Sequence, residues 1–181
     1  YTMYTKTLVS LAGEHVKLEL SIPKQDPECM PCDPTCFQIS AWPLNCSVDY
    51  DGQTFSFGLV NLGNPHAVFW DVEPSLAFRT RFAEYLQGHK AFPHSIKVGF
   101  ARLNSPQNIA VQVYERGEGW TSACGSGGCA AALHGVSRGM IEPDVLIHVL
   151  QMGGELDIIV HNNRRVLSMI GEASFVFHGR L

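Results

Sequence analysis

No apolar run in the 181 residues approaches the roughly 20 that a membrane-spanning helix needs. Charge is scarce as well. Charged residues make up 17%, and a formal net charge of −4 leaves no basic field of the kind that nucleic-acid binding requires. Internal repeats and low-complexity segments are missing, which argues against a solenoid or a disordered linker. No basic start, apolar middle and small-residue cleavage site mark a secretory leader. The six cysteines are therefore expected to be reduced thiols in a cytoplasmic protein. What remains is a chain that is 45% hydrophobic, long enough for one ordinary domain or a tightly joined pair with a real core. It opens on Tyr1 rather than Met and enters a strand-like run, Thr5 to Ser10, almost at once. A processed or trimmed product, or a piece of a longer protein, is expected.

Val16, Leu18 and Leu20 alternate with Lys17 and Glu19, the period of a half-buried strand, and residues 5–21 read as a hairpin around Gly13-Glu14. Residues 23–46 are rich in Pro and Cys, lack a period, and read as a long loop or irregular edge. Asp51-Gly52 joins two strands at 47–51 and 54–60, and His66 to Asp71 continues as a third. Phe78, Phe82, Tyr85 and Leu86 fall at helical spacing after Glu73 and Pro74. Strands follow at about 96–103 and 108–115. A small-residue helix covers 124–138, and three or four strands lie within 145–178. Strands do not alternate regularly with helices, so the fold class is α+β, mostly antiparallel, with strands wrapped around the Ala- and Gly-rich helix.

The segment from Tyr114 to Cys129 is the most informative chemically. A strand ends at Glu115, a Gly-rich turn follows, and a helix starts near Gly125, so Cys124 sits at a helix N-terminus. Free backbone N–H groups and the helix dipole there stabilise a thiolate and bind anions. Gly125, Ser126 and Gly127 allow a ligand carboxylate close to the backbone, beside a thiol that can exchange an α-proton. A lone cysteine is more often a small buried residue in a tight turn, and that alternative stays open on these residues alone.

Gly63-Asn64-Pro65-His66, Phe92-Pro93 with Val98 and Phe100, the long signature at 115–129 and the closing run Ile170 to Gly179 stand in the same order as, and resemble, the motifs of the diaminopimelate epimerase family. The resemblance implies the fold of one half of that enzyme, with residues 1–22 belonging to or bordering an N-terminal half and 23–181 forming the C-terminal domain. It implies epimerisation of LL- to meso-diaminopimelate, in lysine and peptidoglycan biosynthesis, by two thiols without pyridoxal phosphate or metal. Cys124 matches the second thiol and Glu115 the glutamate that assists it. His66 matches the histidine associated with the first thiol. Asn64 and Arg116 match substrate-binding residues, and Gly125 and Ser126 match the backbone donors to the α-carboxylate. The first thiol's GNG..C-type motif is not found here, so it is expected from a missing N-terminal half or a separate partner chain, and this chain alone is expected to be inactive. A homodimer is left open. Lys97 stands where the family usually carries a substrate-contacting asparagine, and is carried over as substrate-binding. Trp120 stands where Glu is common. Both departures bear on the substrate more than on the reaction.

Cys29, Cys32, Cys36 and Cys46 form C-x2-C-x3-C-x9-C. The second pair lacks zinc spacing and Pro31 and Pro34 interrupt it, so free thiols or an incidental disulfide are expected rather than a metal. The alternatives to the epimerase are a racemase of another amino acid, a related isomerase, and a binding module that holds either a small carboxylate or, through the 29–46 cysteines, a metal.

Overall fold

The structure, a computed structural model, describes residues 7–12, 15–37, 45–72, 75–162, 165–174 and 179. In chain order the described elements are β1 (Thr7–Ala12), β2 (His15–Ser21), β3 (Asn45–Tyr50), β4 (Gln53–Asn61), β5 (Pro65–Trp70), α1 (Leu76–Gln87), β6 (Lys97–Ser105), β7 (Asn108–Glu115), β8 (Gly119–Thr121), α2 (Gly125–Ser137), β9 (Ile147–Gln151), β10 (Gly154–Val160) and β11 (Val166–Glu172). One curved sheet runs β1-β2-β11-β10-β9-β7-β6-β5-β4-β3, with β8 attached to β7. The pairings are antiparallel except β5–β6 and β7–β9. The first of these has α1 as its crossover, as parallel neighbours require a long connection. β2 bonds to β11, so residues 7–21 continue the same sheet.

The sheet wraps α2. Residues 127–136 of that helix are buried on every side, and Val60, Val68, Ile109, Val111, Val113, Val149, Ile158 and Leu167 pack around it. A helix this apolar all round has no solvent face to give. Small side chains let the strands close in. At Gly58, in β4, a Cβ would lie 2.3 Å from the ring of His134, so only glycine lets the strand pass. The other face of β4–β7 packs against α1 through Phe57, Phe69, Phe82, Leu86, Val98 and Phe100. Ser75 caps α1, its hydroxyl accepting from the Phe78 N–H at 3.4 Å. Strands covered on both sides lose the alternation of a one-sided sheet, which is why Leu59 and Val60 belong to opposite cores.

Three sequence readings are adjusted. Cys46 lies in β3, where it pairs with Phe57, rather than in the preceding loop. Residues 119–121 form a short strand within the stretch whose glycines predict only a turn. The closing strand starts at Val166 and ends at Glu172, while 175–178 lie outside the described residues, as do Gly13-Glu14, Glu73, Pro74 and Asn163. Among the described residues no helix is long and apolar enough to cross a membrane.

Candidate active site

Cys124 is delivered by a turn that its neighbours dictate. After β7, Gly117 and Gly119 adopt φ of +81° and +76°, which suits glycine. β8 then folds back on β7 with Glu115 opposite Gly119. Three residues on, Cys124 is the extended N-cap of α2, with φ −142° and ψ 100°, and its side chain makes no capping bond. The sulfur is left to other partners.

Gln151, at the end of β9, holds the cysteine's main chain from both sides. The Cys124 N–H donates to Oε1 at 2.5 Å and Nε2 donates to the Cys124 carbonyl at 3.0 Å. Sequence reasoning missed this residue. The signal was present: alternation turns Ile147 and Val149 inward and carries Gln151 with them, a buried polar group that requires partners.

Around the sulfur stand the Ser126 hydroxyl at 3.6 Å and the Lys97 ammonium at 3.8 Å. Lys97 also forms an ion pair with Glu115 Oε2, and Glu115 Oε1 accepts from the Thr121 hydroxyl at 3.1 Å. The side chains of Lys97 and Glu115 are 22% and 16% exposed. Burial pushes the Cys124 thiol above its ordinary range. The Ser126 hydroxyl, the Gly127 N–H and Lys97 act against burial, and Glu115 acts with it. The helix N-terminus thus favours the thiolate as expected, but burial outweighs it. Burial also pushes the Glu115 carboxyl up, but bonds from Lys97, Cys124 and Thr121 prevail and hold it below the usual carboxylate range.

His66, in β5, is buried, and its Nε2 bonds to Asn64 Oδ1 at 3.1 Å. Burial first, and Lys97 second, lower its pKa to about 3 against the pull of Glu115, so the ring is neutral. Asn64, Lys97 and Arg116 line one small recess beside Pro65. Arg116 donates there to the His94 carbonyl, and it is Lys97 rather than Arg116 that pairs with Glu115. Gly125 lies on another side, lining an open groove with Ala123, Gly153, Leu156 and Met169.

The structure therefore gathers Cys124, Glu115, Lys97 and Ser126, and sets Asn64, His66 and Arg116 next to them through Lys97. Trp120 is elsewhere. It packs on Tyr114 and Phe100 and donates to Thr80 of α1 at 2.8 Å, so that departure is one of packing. Cys129 is fully buried with its sulfur 3.9 Å from Met169 Sδ, and burial pushes its thiol up to about 12. Cys29, Cys32, Cys36 and Cys46 are free thiols. Among the described residues no group of three or more metal-ligating side chains is assembled.

The fold is that of amino-acid racemases and epimerases. A hydroxyproline epimerase from Agrobacterium vitis, solved with bound trans-4-hydroxy-L-proline, superposes with a TM-score of 0.54 at 13% identity, over 93% of this chain and 53% of its own. A PhzF-family phenazine biosynthesis protein from Bacillus anthracis superposes with a TM-score of 0.50 at 8% identity, over 93% of this chain and 62% of its own. The particular family follows from sequence: the family model for diaminopimelate epimerase matches residues 58–176, and the chain belongs to that family. The diaminopimelate epimerase of Xanthomonas campestris pv. campestris is 44% identical over 128 residues, 71% of this chain and 44% of its own length. That of Xanthomonas axonopodis pv. citri is 37% identical over 169 residues, 93% of this chain and 57% of its own length. The chain spans about half the length of these relatives.

Proposed function

We propose that the protein inverts the α-carbon of an amino acid, converting LL- to meso-diaminopimelate for lysine and peptidoglycan synthesis in the cytoplasm, with Cys124 as one of two acid/base thiols. The observation that carries this reading is the Cys124 sulfur at the start of α2, unengaged in capping and flanked by an ion-paired glutamate. The substrate's α-carboxylate fits the N–H groups of Gly125 and Ser126, where helix N-terminal charge offsets its own. Losing the α-proton leaves a carbanion, which one thiol forms and the other quenches from the opposite face. Cys124 either takes that proton as thiolate or returns one as thiol, with Glu115 beside it. Arg116 pairs with the distal carboxylate and Asn64 makes a further substrate contact, and Lys97 stands beside both. His66 serves the first thiol as a neutral ring. That thiol is assigned to polypeptide beyond these residues, because the sequence holds no GNG..C-type motif and Cys129 is fully buried against Met169. The two-thiol route calls on no cofactor.

The test is deuterium exchange at the substrate α-carbon in D2O, followed by NMR with the protein expressed from its complete coding sequence. Cys124→Ser is expected to slow exchange by about 100-fold or more, the range lost with a positioned acid or base, and these 181 residues alone to give none. Wild-type turnover in the serine variant would end the proposal. A second reading, a racemase of a different amino acid, is favoured by the Lys97–Glu115 pair, since Lys97 occupies the family's asparagine position. Exchange on a panel of L-amino acids separates the two.

A further inference from the structure

We propose that Lys97 is a positioning residue for Cys124: its ammonium occupies Glu115 and faces the sulfur, setting the site's charge so that the cysteine is readied as a base. The functional consequence rests on the reading of Cys124 as an acid/base group, but the electrostatic claim does not.

Register places the lysine. Lys97 opens β6 opposite His66 of β5, while Glu115 closes the neighbouring β7, so a long side chain from the first reaches a carboxylate on the second. The ammonium pairs with Glu115 Oε2 and stands 3.8 Å from Cys124 Sγ. Among the described residues, the polar and titratable groups around Cys124 come from each element packed on it. β6 contributes Lys97 and β7 contributes Glu115. α2 contributes the Ser126 hydroxyl, the Gly127 N–H and the buried Cys129 thiol. β5 contributes the neutral His66 ring, coupled to both Lys97 and Glu115, and β9 contributes the uncharged Gln151. Lys97 is thus the cation this constellation holds against one carboxylate.

Without it, a thiolate would form beside an unpaired anion in a largely enclosed site, where charges are weakly screened. Glu115 still accepts a bond from the Cys124 thiol, which favours the protonated form. The lysine draws that carboxylate's charge toward itself and supplies an opposite charge within the 4–6 Å over which a neighbour moves a titration by about 1–3 pH units, and an asparagine would do neither. This chain therefore favours the proton-accepting state of Cys124 more than an asparagine-bearing site would.

The ultraviolet absorbance of the thiolate, recorded against pH as wild type minus C124S, isolates Cys124 from the other five cysteines with no substrate present. K97M and K97N are expected to raise the midpoint by about one pH unit or more, a tenfold loss of thiolate at a fixed pH below it. K97R, which keeps the charge, is expected to stay close to wild type. E115Q is expected to lower the midpoint, because the ammonium then faces the sulfur unpaired. A K97M curve that overlays wild type or moves down overturns the proposal, and so does an E115Q midpoint that rises or stays put. E115Q also decides the matter should the Lys97 variants fail to fold. If these shifts appear while α-proton exchange does not, the epimerase reading fails and the role of Lys97 stands.

Discussion

Gln151 directs both ends of its amide at the main chain of one residue, Cys124, in a place where neither partner reaches water freely. A buried donor or acceptor left without a partner costs about 1–3 kcal/mol, more than the net worth of the bond itself. Gln151→Ala strands two such groups at once. It is expected to lower the free energy of unfolding by roughly 2–4 kcal/mol and to free the Cys124 backbone. Urea unfolding measures the first effect. Faster alkylation of Cys124, scored by peptide mass spectrometry, measures the second. A loss below about 0.5 kcal/mol, the scale of a neutral surface change, would show that the amide clamp is not structural. This residue also marks a limit of sequence reading. Alternation along Ile147-His148-Val149-Leu150-Gln151 shows an inward polar side chain, but its partner lies 27 positions away in another element.

At the scale of elements, the placement of Cys124 depends on how closely α2 meets β7. A Cβ on Gly127 would lie 2.4 Å from Val113 Cγ2 and 3.3 Å from the Cys124 sulfur. Val113 is buried and has little room to retreat. Gly127→Ala gains about 1 kcal/mol of helix propensity but meets an overpacking cost of about 1–3 kcal/mol, so a net loss and a displaced first turn are expected. Adding Val113→Ala opens the space. A double-mutant cycle by thermal or urea unfolding should then show a favourable coupling above about 0.5 kcal/mol, and strictly additive losses would refute the contact. The helical spacing of α1, the Asp51-Gly52 hairpin and the strand at β2 were all legible in the sequence, because each is local. The β8 pairing, the seat of Trp120 on α1 and the Lys97–Glu115 pair were not. Each depends on which strands lie side by side, and strands buried on both faces, such as β4 with its run from Phe57 to Asn61, carry no period to reveal it. The site residues themselves were legible only as a motif, Cys124 with Glu115, and the chemistry joining them came from register.

For the whole molecule, two buried imidazoles couple folding to acidity. His134, in α2, accepts from Trp70 Nε1 on Nδ1 at 3.0 Å and bonds through Nε2 to Asn45 Oδ1 at 3.3 Å, so the neutral ring ties the wrapped helix to β5 and β3. Burial, and then the charge of Arg138, bring its pKa from 6.5 to about 4. His66 falls from 6.5 to about 3. Protonating His134 removes the acceptor that Trp70 uses, and protonating His66 adds a cation beside Lys97. The unfolded chain binds both protons as pH drops below 6.5, while the folded chain resists until about 4 and about 3. Stability is therefore fully present above the unfolded value and drains away as pH falls. Well below that value each ring contributes a slope of roughly 1.4 kcal/mol per pH unit. Glu115, whose carboxyl is held low, adds a loss of the same sign in more acid solution. The unfolding free energy from urea titrations is thus expected to fall steeply between pH 6 and 4, with uptake of about two protons by these rings on unfolding. His134→Asn should be less stable at pH 7.5 yet show about one proton less of uptake. A slope unchanged by that substitution would place the acid sensitivity elsewhere.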